Sequence, residues 1–186
     1  MNRTSRTFRP MLSFFHANAK GNGAAMRMSL LPATGTEDGS IMVDFANQST
    51  VADFSGPEPV YPRFDWENKI TVKLDFGDLC ALLQVLRGEC ESVGDGKGLF
   101  HKSVKGSTRI MFRHLLEPVS GYHFEISRTT KDGKNVQSRF VLSSAEAGGL
   151  TEAIAGAMSL IAFGVPYSEE MRGANVVESG ARKSEN

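Results

Sequence analysis

The chain has 186 residues, 40% of them hydrophobic and 23% charged, totals that fit one soluble globular domain with a sizeable core rather than two full domains or a disordered chain. No apolar run approaches the roughly eighteen residues a membrane span needs, and Cys80 and Cys90 lack a CxxC spacing, which argues against a disulfide framework or zinc knuckle and for a reducing compartment. The net charge of zero hides a segregation: residues 1–31 hold five Lys or Arg and no acid, 32–99 hold five bases against twelve acids, and 100–140 hold eight bases against three acids.

Residues 1–10, MNRTSRTFRP, read as a basic flexible arm. Their Arg-rich, acid-free composition also suits a mitochondrial transit peptide, the lesser reading beside a cytoplasmic or nucleoid-associated protein. A folded domain is expected over 11–165. LSFFHAN is an aromatic strand ending at the turn signal KGNG, and AAMRMSLL alternates, with Ala24, Met26, Met28 and Leu30 on one face and Arg27 pointing away from the core. After the loop TGTEDG comes the strand SIMVDFA, then the long connection NQSTVADFSGPEPVYPR with its three prolines. KITVKL sets Ile70, Val72 and Leu74 against an outer face with Lys69 and Lys73. The period then changes to that of a helix in DFGDLCALLQVLRG, capped by Asp75 with Asp78 three positions on and stopped at Gly88.

GLFHKSV, RIMFRHLL, GYHFEISRTT and NVQSRFVL are four further strands, the last two joined by the hairpin signal KDGK. SSAEAGGLTEAIAGAMSLIAFG forms a second helix with the capping-box spacing Ser143 and Glu146, an apolar stripe at Leu150, Ile154, Met158 and Ile161, and small residues at Gly149, Ala153, Gly156 and Ala157. Residues 166–186 turn polar and are expected to be a disordered tail. The expected organisation is four strands and a helix, twice over.

No catalytic constellation is present in the sequence. GDGKG, Gly94 to Gly98, lacks the spacing of a phosphate-binding loop and precedes a strand. Ser120 and Gly121 lack a GxSxG elbow. The four histidines lack paired ligand spacing; His114 and His123 are placed to face each other across a hairpin, without a cysteine or carboxylate pair beside them to make a metal site. Neither a cofactor nor a metal is expected.

The order ββββα twice, the Lys20, Gly21, Asn22, Gly23, Ala24, Ala25 run into the second strand, Phe64, Asp65, Trp66 before a strand with Lys69 and Lys73, and SGYHFEISRTT before a small, apolar helix together resemble the Whirly proteins. That family belongs to a superfamily of single-stranded nucleic-acid binders with the transcriptional positive coactivators and the kinetoplastid guide-RNA-binding proteins. The resemblance covers about residues 11–165. Asn22 stands where the plant members' KGKAAL motif has a second lysine, and Gly23 reads as an insertion. The resemblance implies an α+β fold of two four-stranded antiparallel sheets, each followed by a helix, in a homotetramer that holds single-stranded DNA and acts in transcription regulation or DNA replication, repair and recombination.

Binding single strands without strict sequence preference needs cations that track phosphates and flat side chains on which bases stack. The candidate cations are Lys20, Arg27, Lys69, Lys73, Lys102, Lys105, Arg109 and Arg113, with Asn22 in the turn; the candidate platforms are Phe14, Trp66, Phe100 and Tyr122. Phe15, Phe112, Phe124 and Phe140 are expected in the core. The two basic blocks either converge into one positive surface or are solvated faces of unrelated strands. RNA is an alternative ligand, since stacking and phosphate contacts ignore the 2′-hydroxyl; a scaffold oligomer without nucleic-acid binding is the alternative from another class. Convergence of Lys20, Arg27, Lys73 and Arg109 on one continuous positive track is the feature that separates the binding reading from the scaffold.

Overall fold

The computed structural model describes residues 10–104 and 106–165, so the basic arm apart from Pro10, the polar tail and Lys105 lie outside the described residues. The element order is β1 Met11–His16, β2 Ala24–Leu31, β3 Ser40–Thr50, β4 Arg63–Phe64, β5 Ile70–Leu74 and α1 Phe76–Leu86, a 3₁₀ turn at Val93–Gly96, then β6 Leu99–Ser103, β7 Gly106–Leu115, β8 Gly121–Thr130, β9 Asn135–Leu142 and α2 Ser144–Phe163. The first sheet runs β1-β2-β3 with β4 and β5 both beside β3; the second runs β6-β7-β8-β9. All pairings are antiparallel.

Two departures from the sequence reading concern β3. The strand does not stop at Ala46 but continues to Thr50, because the buried Gln48 side chain is satisfied by backbone partners instead of water. Its length then serves two partners in line: β5 pairs with Ile41–Phe45, while the two-residue β4 pairs beyond a register shift at Gln48 and Thr50. The long connection between β3 and β4 is exposed from Val51 to Tyr61 but closed by a two-way backbone bridge between Asp53 and Val60.

Each sheet alternates faces along its strands. In the first, Phe14, Met26, Phe45 and Ile70 lie in register on one face; in the second, Phe112, Phe124 and Phe140 do the same. These two inner faces pack together, with ring centres 5.6 Å apart for Phe45 and Phe124 and 6.3 Å for Phe14 and Phe140. Burying each such ring is worth about 1.5–3 kcal/mol. Arg128, on the inner side of β8, crosses the gap to donate from Nη2 to the Thr71 carbonyl of β5 and from Nε to Thr108 Oγ1 at 2.9 Å. The outer faces of the two sheets consequently point away from one another.

Both helices carry reciprocal capping boxes, Asp75 with Asp78 and Ser143 with Glu146. Leu79, Leu82, Leu83 and Leu86 of α1 and Leu150, Ile154 and Ile161 of α2 join the same core. Gly88 follows α1 in the left-handed region, at φ +73°, where a residue without Cβ ends a helix at low cost. Phe76, the first residue of α1, remains 46% exposed.

Candidate nucleic-acid interface

The turn between β1 and β2 is held by side-chain amides. Asn18 Oδ1 accepts from the Lys20 and Asn22 backbone N–H groups at 3.0 and 3.3 Å, and Asn18 Nδ2 donates to Asn22 Oδ1 at 2.8 Å. Beneath it, Gln48 Oε1 accepts from the N–H groups of Asn18 and Gly23 at 2.9 and 3.2 Å, while Gln48 Nε2 donates to the Asn18 and Thr50 carbonyls, each at 3.0 Å. Gly23 is required by space: a Cβ there would stand 2.2 Å from the His16 carbonyl oxygen and 2.5 Å from Gln48 Oε1. The Asn22 side chain is thus committed to shaping the turn, and Lys20 is exposed on it with no ion-pair partner among the described residues.

The outer face of the first sheet carries an aromatic and cationic cluster. The Arg27 guanidinium lies 3.6 Å from the Trp66 ring centre and 5.8 Å from that of Phe15. Phe15 in turn meets Phe64 at 5.7 Å and the edge of Trp66 at 6.4 Å. Strand parity corrects the sequence reading here: Phe14 pairs with Met26 and packs inward against Phe140, whereas Phe15 is 51% exposed and belongs to the cluster. The doublet FF places one ring on each face, and only the register with β2 decides which. Lys69 and Lys73 both lie on this outer side, but Lys69 donates to Asp44 Oδ2 at 2.6 Å, so its charge is compensated. Lys73, opposite Met42, is exposed and unpaired among the described residues.

On the second sheet, Phe100 and Lys102 of β6 stand opposite Arg109 and Ser107 of β7, on the outer face that also bears Arg113. Arg113 Nη2 donates to Glu125 Oε1 at 2.7 Å, and Arg109 Nε donates to the Lys97 carbonyl at 2.9 Å. Tyr122 is not on this face. It is half-buried on the inner side, stacked on His114 at 4.4 Å and Phe112 at 6.0 Å, which removes it from the exposed platforms. His114 and His123 do not face each other either: β7 and β8 pair His114 with Tyr122 and Arg113 with His123, which leaves the two imidazoles on opposite faces. Among the described residues no group of three His, Cys, Asp or Glu is placed to hold a metal ion, and no helix is long and apolar enough to cross a membrane.

Lys20, Arg27, Lys73 and Arg109 do not line one common track. Alternation assigns Arg27 and Lys73 to the outer face of the first sheet and Arg109 to that of the second. The turn bearing Lys20 is nevertheless joined to the second sheet. A cavity of about 470 Å³ lies between Gly21–Gly23 and Gln137–Arg139 of β9, and it adjoins a cavity of about 340 Å³ lined by Arg109, Arg113 and Arg139. Asn47 Nδ2 fixes this junction by donating to the Gln137 carbonyl at 3.1 Å. Arg139 and Gln48 were not singled out by sequence. Arg139 alternates with Gln137 on the outer side of NVQSRFVL, a legible signal; a glutamine buried under a turn leaves none.

Two antiparallel sheets, each followed by a capped helix and packed by their inner faces, define an α+β fold of the Whirly type, and the chain has that fold. Among solved structures it is similar to WHY1 from Arabidopsis thaliana, at 18% identity over 96% of both chains with a TM-score of 0.66. It is also similar to the plant transcriptional regulator PBF-2, at 16% identity over 82% of this chain and 89% of that one, TM-score 0.61. A guide-RNA-binding protein, solved in a complex bound to a guide RNA, matches at 16% identity over 82% and 91%, TM-score 0.56. No family model matches the chain, and no curated protein matches its sequence.

Proposed function

We propose that the chain is a non-enzymatic, largely sequence-tolerant single-stranded DNA-binding protein that acts as a homotetramer in transcription regulation or in DNA replication, repair and recombination. The observation that carries the reading is the junction at β9, where the cavity beside Gly21–Gly23 and the arginine-lined cavity of the second sheet share Gln137, Ser138 and Arg139 as lining. Fixed cations beside exposed rings are what a flexible polyanion with stackable bases requires. The tetramer is supported by α2: Gly148, Gly149 and Gly156 have open space where a Cβ would stand, so nothing within the protomer calls for glycine there, and a bare helix face suits close approach by another copy.

Fluorescence anisotropy with a labelled single strand, its duplex and an RNA of the same sequence, together with light scattering for mass, tests this reading. Tight binding of the single strand at low salt, weaker binding of the duplex and a fourfold protomer mass are expected. Equal preference for duplex would sink it, and no binding by an intact oligomer would establish the scaffold, the reading that gains from the separation of Arg27 and Lys73 from Arg109. RNA is the second reading, favoured by the likeness to the guide-RNA-binding structure; tighter binding of the RNA strand would establish it.

A further inference from the structure

We infer that the arginine-lined cavity on the outer face of the second sheet is a seat for a phosphate monoester, either the terminal phosphate of a strand or a free mononucleotide, in preference to the phosphodiesters along a chain. The strand-end form rests on the single-strand reading above; the mononucleotide form stands without it. Charge is the first argument. Arg109, Arg113 and Arg139 line the cavity with Glu125 as the only carboxylate among the described residues, a formal excess of two positive charges. A phosphodiester brings one negative charge, whereas a monoester brings about 1.5 to 2 at neutral pH.

Geometry is the second. The Lys97 carbonyl engages Arg109 Nε, and Glu125 Oε1 holds Arg113 at 2.7 Å with Arg139 at 4.0 Å. One carboxylate thus holds Arg113 and stands within ion-pair range of Arg139 without having the lone pairs to saturate three guanidiniums, and guanidinium forks match phosphate oxygens in pairs. Among the described residues Arg113 Nε is buried without a hydrogen-bond partner and belongs to a residue lining this cavity, whereas the Ser138 hydroxyl lies on the inner face with Phe140. A buried donor left unmade is costly, and Arg113 keeps this one uncommitted beside the cavity.

The boundary of the cavity is the third. The GDGKG loop walls one side through Gly96. Its Lys97 and Gly98 amides are already bonded to the Gly94 and Val93 carbonyls, so the loop contributes shape and the carbonyl that engages Arg109, not a phosphate-cradling nest. A volume of about 340 Å³ falls at the small-ligand end of binding cavities. Phe100, opposite Arg109 and 67% exposed, offers a ring beside the phosphate for the attached base.

The test uses the full chain and three strands of one sequence carrying a 5′-phosphate, a 3′-phosphate or neither, titrated by anisotropy, with AMP and adenosine compared by thermal shift. At least one phosphorylated strand should bind about tenfold more tightly than the unmodified one, and AMP should raise Tm where adenosine does not. Arg139→Ala, at a largely exposed side chain, should bring the strand affinities to within about twofold. Equal affinities for the three strands with no AMP effect overturn the inference while leaving single-strand binding intact. A preference that survives Arg139→Ala also overturns it, because the phosphate then sits elsewhere. An AMP-specific shift without binding of any strand supports the site and overturns the single-strand reading.

Discussion

The guanidinium of Arg27 stacks 3.6 Å from the centre of the Trp66 ring, although the two residues are separated by two strands and the long exposed connection. The contact uses one face of the indole, leaves Arg27 without a carboxylate partner among the described residues and places a cation beside the partly exposed Phe15. A buried or carboxylate-paired arginine would have its charge cancelled. Here the charge is positioned by an apolar surface, the arrangement in which both a phosphate and a base have something to meet.

Trp66→Ala should therefore weaken single-strand binding by about tenfold or more, the worth of one stacked base, and destabilise the protein by about 1 kcal/mol through loss of the cation–π contact. Anisotropy and urea unfolding measure the two effects. Trp66 is the sole tryptophan, so in the native protein its emission should change as strand is added and Arg27→Ala should alter the starting spectrum. Emission indifferent to a strand that binds would take this cluster out of the site.

Lys73 and Arg109 lie on outer faces of different sheets. Lys73→Glu and Arg109→Glu should accordingly act independently, and their effects on binding free energy should add. The double variant should bind all sequences more weakly, with the slope of log K against log salt reduced by about 0.7 for each phosphate that is no longer neutralised, and light scattering should show an unchanged oligomer. Unchanged affinity in one single variant removes that sheet's outer face from the path of the strand.

Much of this fold was legible because its signals are periodic. The alternation of AAMRMSLL and KITVKL placed Arg27 and Lys73 outward, and both capping boxes were readable from two residues each. What escaped depended on pairing between distant segments. LSFFH alternates equally well with Phe14 or Phe15 inside, and the choice is made by the register with β2. Tyr122 similarly follows Phe112 inward because β7 and β8 pair as they do. Asp44 neutralises Lys69 from a strand 25 residues away, a contact no local pattern contains.

Gln48 supports the Lys20 turn from below through both ends of its amide. Gln48→Leu keeps the volume but leaves the Asn18 and Gly23 N–H groups without their acceptor, which should cost about 1–3 kcal/mol in urea unfolding. Strand affinity should fall as well, because the turn that carries Lys20 and walls the β9 cavity with Gly21–Gly23 would lose its support. Full affinity in a destabilised Gln48→Leu protein would show that the turn is structural only.

The tie between β1 and α2 makes stability depend on acid. Glu146 Oε1 lies 2.7 Å from His16 Nε2, and its Oε2 accepts from the Ser143 backbone N–H and hydroxyl, each at 2.8 Å. Burial pushes this carboxyl up, but the Ser143 backbone, the His16 ring and the Ser143 hydroxyl outweigh it, and the net position is below the ordinary glutamate range. The unfolded chain consequently takes up a proton on Glu146 at higher pH than the folded protein does. The stabilisation is complete above the unfolded value and is lost as pH falls through the lowered folded one. Thermal unfolding of the wild type and Glu146→Gln across the acid range should show a gap that is widest near neutrality and closes in acid, where both side chains are uncharged. A gap that stays constant with pH would mean that the contact acts through hydrogen-bond geometry alone, and that the charge on Glu146 contributes nothing to holding β1 against the helix.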